Sequence, residues 1–235
     1  MIIKGVAHRG YPKKFPENTL SSFQAALDLG YTHLELDVQL TKDGVPVVFH
    51  DWTLERMTDG TGNLRDYTLS ELKWLRVAGS EQIPTLEEAL CLLKGKVIVD
   101  IELKKMGDMY PGLEQIVLDM LASMGMREKS LITSFDHFAL EKVRELNDQI
   151  DIGLINHSAS PALFPYMKKL NCKYVSVHYP YINDKFIELC NENEVILIPY
   201  TIDNADDMAK FTRYPELLIC TNELERWIRV STSKG

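Results

Sequence analysis

Close cysteine pairs are missing from this chain. Cys91, Cys172, Cys190 and Cys220 stand far apart, with no CxxC and none of the tight Cys/His spacing of a zinc site. They read as small apolar core residues in a reducing compartment. Long apolar runs are lacking too, since no stretch approaches the length that spans a bilayer. Charged Lys4 follows only Ile2 and Ile3, which leaves no room for the apolar segment of a signal peptide. A cytoplasmic protein with no integral membrane segment is the expectation. Positive charge is also scarce. With 26 Lys and Arg against 34 Asp and Glu, the formal net charge of -8 would repel nucleic acid or an anionic membrane, and no basic run offsets it. An anionic substrate would have to be drawn in by a few placed cations or a bound metal.

What is present is core material in a regular order. Hydrophobic residues make up 45% of the 235 and charged residues 26%, enough to bury a sizeable core and too apolar for a disordered chain. Eight β-rich runs occur in sequence: "IIKGVAH", "THLELDV", "KVIVDIEL", "SLITSF", "DIGLI", "KYVSVH", "VILIPYTI" and "ELLICTN". Amphipathic helical stretches separate most of them. In "TLSSFQAALDLG", for example, Leu20, Phe23 and Leu27 share a face and Gly30 ends the run. Such alternation predicts an α/β fold with a parallel sheet covered by helices, and eight units favour a closed TIM (β/α)8 barrel. One domain over residues 1–235 is the economical account. A small insertion at about 51–80, preceded by an extra strand in "VPVVFHD", lies between the second and third barrel strands.

Strand parity converts this outline into a site, because alternate side chains point to opposite faces. In the second strand Leu34, Leu36 and Val38 share the helix-facing side, and His33, Glu35 and Asp37 the interior side. The third barrel strand repeats the pattern, with Val97, Val99, Ile101 and Leu103 outward and Asp100, Glu102 and Lys104 inward. Buried unpaired carboxylates are costly, so these should be bridged by a cation or kept at the wet carboxyl-end mouth where barrel sites lie. Glu35, Asp37, Glu102, Lys104 and His8 fall toward that end, and His33 and Asp100 fall deeper. Three converging carboxylates form a hard, all-oxygen set suited to Mg²⁺ or Ca²⁺. An ion-pair network with Arg9 and Lys104 is the other reading of the same residues. His50, at the end of "VVFHD", joins His8 at this mouth, and two histidines in different environments can run acid and base chemistry near neutral pH.

The segments "AHRG", "PENT", "ELDVQLTKDGVPVVFHD", "PTLEEAL", "IELK" and "YTID", in this order over most of the chain, resemble the glycerophosphodiester phosphodiesterase family. The resemblance implies a TIM barrel, a divalent metal, and hydrolysis of a small-molecule glycerophosphodiester to sn-glycerol 3-phosphate and an alcohol, within glycerol and lipid metabolism. It also implies that Glu35, Asp37 and Glu102 ligate the metal, that His8 and His50 are the paired catalytic histidines, and that Arg9 and Lys104 contact phosphate. His178 in "VSVHYP" and Tyr200 in "PYTID" match positions that line the substrate pocket. Two departures stand out: "YTID" where Trp-Thr-Val-Asn is expected, and "TN", Thr221 and Asn222, where "TD" is expected. Both are assigned to the alcohol pocket, away from the metal and the histidines. The rival activities are a lysophospholipase D acting on lipid phosphodiesters and a non-catalytic barrel that binds phosphodiesters.

Other conspicuous residues take plainer readings. Asn18 or Thr19 caps the first helix, with a supporting role open to Glu17 or Asn18. Asp51 orients the His50 loop, and His33 is a hydrogen-bonded interior residue. His137 and His157 follow strands at the correct face without further signs of catalysis. Ser134 is expected to face the site, and Trp52, Trp74 and Trp227 to cover the insertion, the barrel exterior or the pocket rim.

Overall fold

The structure, a computed structural model, describes residues 2–232. Its strands are β1 (Ile3–Ala7), β2 (Tyr31–Leu40), β3 (Pro46–Val48), β4 (Ile98–Leu103), β5 (Ser130–Ser134), β6 (Asp151–Asn156), β7 (Tyr174–His178), β8 (Ile196–Tyr200) and β9 (Cys220–Thr221). Between them lie α1 (Leu20–Asp28), α2 (Leu69–Leu72), α3 (Leu86–Leu93), α4 (Leu113–Ser123), α5 (His137–Leu146), α6 (Leu163–Lys169), α7 (Asp184–Glu192), α8 (Ala205–Phe211) and α9 (Leu224–Thr232). The sheet runs β8-β7-β6-β5-β4-β2-β1-β9, and each of these neighbours pairs in parallel. Between its two ends, Leu218 N donates to Leu197 O at 3.1 Å and Ile202 N to Cys220 O at 3.0 Å. The result is the expected TIM barrel, nearly closed.

The last strand is shorter than the run "ELLICTN" suggests. Leu217 is held in a turn by Tyr214 and Leu218 pairs with the β8 side, so only Cys220–Thr221 pair with β1. The strand β3 lies outside the barrel, antiparallel on the second half of β2, with Val38 opposite Val48. The residues that follow it, up to α3, have a small apolar core of their own, in which Phe49, Leu54, Leu64, Leu72, Val77 and Ile83 close over Val47. Capping boxes Thr68/Glu71 and Thr85/Glu88 start α2 and α3, each satisfying amide groups that a helix start leaves unpaired.

Two apolar layers position the site. The main one lies between sheet and helices, where Leu34, Leu36 and Val38 of β2 and Val99, Ile101 and Leu103 of β4 are fully buried with Phe23 of α1 and Leu90 of α3. Each such side chain contributes about 1.5–3 kcal/mol by leaving water. A second cluster of Val6, Leu131, Tyr174, Ile198, Leu218 and Cys220 fills the barrel. With the outer face of β2 and β4 committed to the helices, the alternate ionisable residues have only the barrel interior to face.

Candidate active site

Where β1 ends, the chain turns sharply through His8, Arg9 and Gly10. Arg9 and Gly10 take positive φ angles of 56° and 83°, and a Cβ on residue 10 would come within 2.4 Å of Ser22 Oγ, so only glycine fits against the first turn of α1. Ser22 Oγ pins this turn by accepting from Tyr11 N at 2.6 Å and donating to Arg9 O at 3.1 Å. The left-handed backbone at Arg9 aims its amide at Glu35 Oε2, 2.8 Å away. Its guanidinium binds Glu17 at 2.9 Å and lies 3.4 Å from Asp37 Oδ2.

Register places the acids. β2 and β4 pair with Glu35 beside Asp100 and Asp37 beside Glu102. Glu35, Asp37 and Glu102 each offer an oxygen, all within 4.8 Å of one another, and could hold a metal ion. Asn18, at the entry to α1, donates to Asp37 Oδ2 at 2.8 Å, and Lys104 lies 2.9 Å from Glu102 Oε1 and 3.7 Å from Asp37 Oδ1 while its ammonium covers the Trp52 ring. The ion-pair reading is therefore correct as far as it goes. It leaves Glu35 Oε1 and Asp37 Oδ1 buried with no hydrogen bond among the described residues, which is how oxygens reserved for a hard cation would stand.

The electrostatics agree. Burial and then the neighbouring charges of Asp37 and Glu102 push the Glu35 carboxyl well up, and burial with Asp37 pushes Glu102 to about 7. Asp100, which accepts from Thr133 Oγ1 at 2.7 Å, is raised by burial to about 7. Burial alone would raise Asp37 as well, but Arg9 and Lys104 hold it below the usual carboxylate range. Two fixed cations are too few for four buried acids, and a divalent ion would supply the missing charge.

The histidines arrive from opposite flanks. His50 Nδ1 meets Asp51 Oδ1 at 2.7 Å, and Arg56, from the segment after β3, grips Asp51 through Nε and through Nη2 at 3.0 Å. Arg56 also bonds Glu17 at 2.6 and 3.0 Å, which joins the His50 loop to the Arg9 side of the mouth. Gln39 fixes the same loop by donating to Phe49 O and Asp51 O, each at 2.7 Å. Asp51 thus orients His50 as expected; burial would raise its carboxyl, but the bonds to Arg56 and His50 outweigh burial and lower it to about 2. His8 Nδ1 meets Asn222 Oδ1 at 2.8 Å, and Asn222 is held by Asp203. This corrects the expectation that "TN" stays clear of the histidines: the loop after β9 delivers Asn222 to His8, and Asp203 of "YTID" reaches that histidine only through Asn222. Burial and the adjacent Arg9 lower His8 to about 4, and burial lowers His50.

A cavity of about 250 Å³ opens among these groups, lined by His8, Arg9, Glu35, His50 and Glu102 on one side and Phe135, Ile155 and Tyr200 on the other. Lys104 and Asp37 lie behind the wall. Tyr200 donates to Asn156 O at 3.0 Å, with Phe135 edge-on at 6.3 Å. His178 sits one ring further out, 6.0 Å from Tyr200 and 4.9 Å from His157, and its buried Nδ1 has no hydrogen bond among the described residues. Ser134 does not face the site. It donates to Leu103 O, because the β5 alternation gives the inward places to Leu131, Thr133 and Phe135. Thr19, not Asn18, caps α1, His33 bonds Thr32 at 2.9 Å, and Trp227 donates to Lys4 O on the barrel exterior. Trp74 is 79% exposed, and Cys91 is exposed, unlike the other three cysteines.

Comparison with known proteins agrees with this geometry. The profile of the glycerophosphoryl diester phosphodiesterase family matches residues 8–226. A glycerophosphodiester phosphodiesterase of Caldanaerobacter subterraneus is 36% identical over 98% of both chains, and one of Bacillus altitudinis is 31% identical over 94% of this chain and 99% of the relative. A phosphodiesterase of Oleispira antarctica, solved with the product sn-glycerol-3-phosphate, superposes with a TM-score of 0.86 at 26% identity, covering 97% of this chain and 96% of that one. A glycerophosphodiester phosphodiesterase of Thermotoga maritima does so with a TM-score of 0.81 at 26% identity, over 98% and 99% of the two chains.

Proposed function

Because the chain belongs to the glycerophosphoryl diester phosphodiesterase family and is a phosphodiesterase, we propose that it hydrolyses glycerophosphodiesters to sn-glycerol 3-phosphate and an alcohol, using Mg²⁺ or Ca²⁺ held by Glu35, Asp37 and Glu102. The observation that carries this reading is the pair of buried carboxylate oxygens left without hydrogen bonds among the described residues, beside two cavity-lining histidines. A divalent ion bound there would neutralise charge on the phosphoryl oxygens as it develops. Arg9 presents a planar cation to the phosphate from the cavity wall, and Lys104 holds Glu102 and Asp37 in place from behind. These local charges explain how a protein of formal net charge -8 takes an anionic substrate, because exposed charges are screened beyond about 10 Å at ordinary salt.

An alkoxide is a poor leaving group, so one histidine protonates it while the other takes a proton from the attacking oxygen, each contributing roughly 10²- to 10⁴-fold in rate. The attacking oxygen is the substrate's own glycerol 2-hydroxyl, and water then opens the cyclic phosphate with the two roles exchanged. Binding alone would need neither imidazole. Release of glycerol 3-phosphate from glycerophosphocholine, assayed with Mg²⁺, Ca²⁺ or EDTA, tests the reading. Absence of metal-dependent release from glycerophosphocholine and glycerophosphoethanolamine alike would reject it.

One observation favours a second substrate class, the lysophospholipids. Met106, Phe135, Phe138 and Tyr181 stand exposed on the loops and helix start that follow β4, β5 and β7, at the end of the barrel where the cavity opens, and Phe135 is part of its wall. Gly107 N bonds Asp136, which draws the β4 and β5 loops together. An acyl chain on the glycerol leaves the 2-hydroxyl free to attack and would cover this apolar rim. Comparing lysophosphatidylcholine with glycerophosphocholine as substrates decides between the two.

A further inference from the structure

The two histidines rest on different supports. Behind His50 Nδ1 stands the Asp51 carboxylate, whereas behind His8 Nδ1 stands the side-chain amide of Asn222 at 2.8 Å. Which end of that amide faces His8 is decided one residue further back. Asp203 Oδ2 accepts from Asn222 Nδ2 at 2.8 Å, and Oδ1 accepts from the Asn222 backbone N–H at 2.8 Å and from the Thr221 hydroxyl at 2.9 Å. Arg226 donates to the Asp203 carbonyl and holds the loop from outside. Turned the other way, the amide would set its carbonyl oxygen against a carboxylate. Its oxygen therefore faces His8, and His8 Nδ1 has to be the donor.

We infer that Asn222 and Asp203 are positioning residues that lock His8 as the Nδ1–H tautomer with Nε2 bare, and so assign His8 as base and His50 as acid in the first step. This rests on the hydrolysis proposed above. A neutral amide orients an imidazole without contributing a negative charge, whereas the Asp51 carboxylate favours the imidazolium of His50. The other charged or titratable groups acting on His8 are Arg9, Asp37 and His50. In the first step His8 Nε2 takes the proton of the 2-hydroxyl, the O2–P bond forms, the bond from phosphorus to the leaving oxygen breaks, and the His50 imidazolium protonates that oxygen. In the second, neutral His50 takes a proton from water, the water oxygen bonds phosphorus, and the His8 imidazolium returns its proton to O2 as the ring opens. Both histidines regain their starting states, and one water is consumed.

The test exchanges the two side chains. Asp203→Asn combined with Asn222→Asp keeps shape and total charge and moves the carboxylate next to His8. Ring ¹⁵N spectra of the wild-type protein without substrate should show His8 protonated on Nδ1 and bare on Nε2. In the exchanged variant, the His8 titration midpoint and the acid limb of kcat/KM for glycerophosphocholine should both move up by about one pH unit or more. Asn222→Ala should give mixed His8 tautomers and lower kcat about 10- to 100-fold, with KM changed far less. If Asn222→Ala does not fold, the exchanged pair still decides. An Nε2–H tautomer in the wild type, or an exchanged variant whose His8 titration and acid limb do not move, overturns the inference. A correct tautomer without any phosphodiester cleavage would instead reject the functional reading, since the spectrum needs no turnover.

Discussion

The mouth of the barrel has two unlike sides. On the β1, β2 and β4 side, Arg9, Glu35, Asp37, Glu102 and Lys104 are tied to one another and to loop residues by charge-assisted bonds. On the β5 to β8 side, Phe135, Tyr200, His178, His157 and Tyr181 touch through ring contacts, and several of them open to solvent. The charged side has little freedom, because moving any member strands a buried charge. The aromatic side can change residue by residue at small cost. This contrast suggests that the first side handles the phosphate, common to every substrate of the proposed class, and the second handles whatever is attached to it.

Substitutions should separate the sides by size of effect. His50→Ala removes the proposed acid at their junction and should lower kcat for glycerophosphocholine by about 10²- to 10⁴-fold with KM little changed; steady-state kinetics of glycerol 3-phosphate release measures this. Glu102→Gln, on the charged side, should cost about 10²- to 10³-fold, partly recovered at higher Mg²⁺ or Ca²⁺. A metal titration of the variant checks it, and an unchanged metal dependence would argue against ligation. On the aromatic side Phe135→Ala should leave glycerophosphocholine turnover within about two-fold while lowering kcat/KM for lysophosphatidylcholine about 10-fold, the low end of the range for losing one aromatic contact. Equal loss on both substrates would erase the proposed division.

A separate effect is on stability, and its sign follows from the acids. Asp100 and Glu102 titrate near 7 in the folded protein, above their ordinary 3.8 and 4.5. Their contribution is fully present below about pH 4 and is lost as pH rises through 7. Bound metal needs the ionised carboxylates and opposes that loss. Melting curves with and without Mg²⁺ or Ca²⁺ should therefore show a larger metal-induced rise at pH 8 than at pH 5. Ion at a hundred-fold excess over Kd is worth about 2.7 kcal/mol, or roughly 5–10 °C for a protein of this length. His8 works in the opposite sense, its lowered value of about 4 giving stability above pH 6.5 that is lost on acidification.

Which parts of this arrangement can be read in one dimension has a physical basis. A strand alternates its side chains every residue, so the order Leu34-Glu35-Leu36-Asp37 already assigns the acids to one face and the core to the other, and the eight-fold alternation with helices already points to a barrel. Glu35, Asp37 and Glu102 thus become neighbours once β2 and β4 pair in register. Ser134 shows the limit even here, because the phase of its short strand is settled only by the strands that flank it.

The loops carry no such period. Asn18, Arg56, Asp203 and Asn222 come from four connections, and nothing in their local sequence says that the first would support Asp37, the second Asp51, or the last two His8. His8 and Asn222 are 214 positions apart and meet only because the first and last barrel strands pair. Local periodicity therefore determined the fold class and the three acids from sequence alone. Closure of the barrel decided which hydrogen-bond partner stands behind His8, because that partner sets the tautomer and is supplied only by chain that returns to the same point in space.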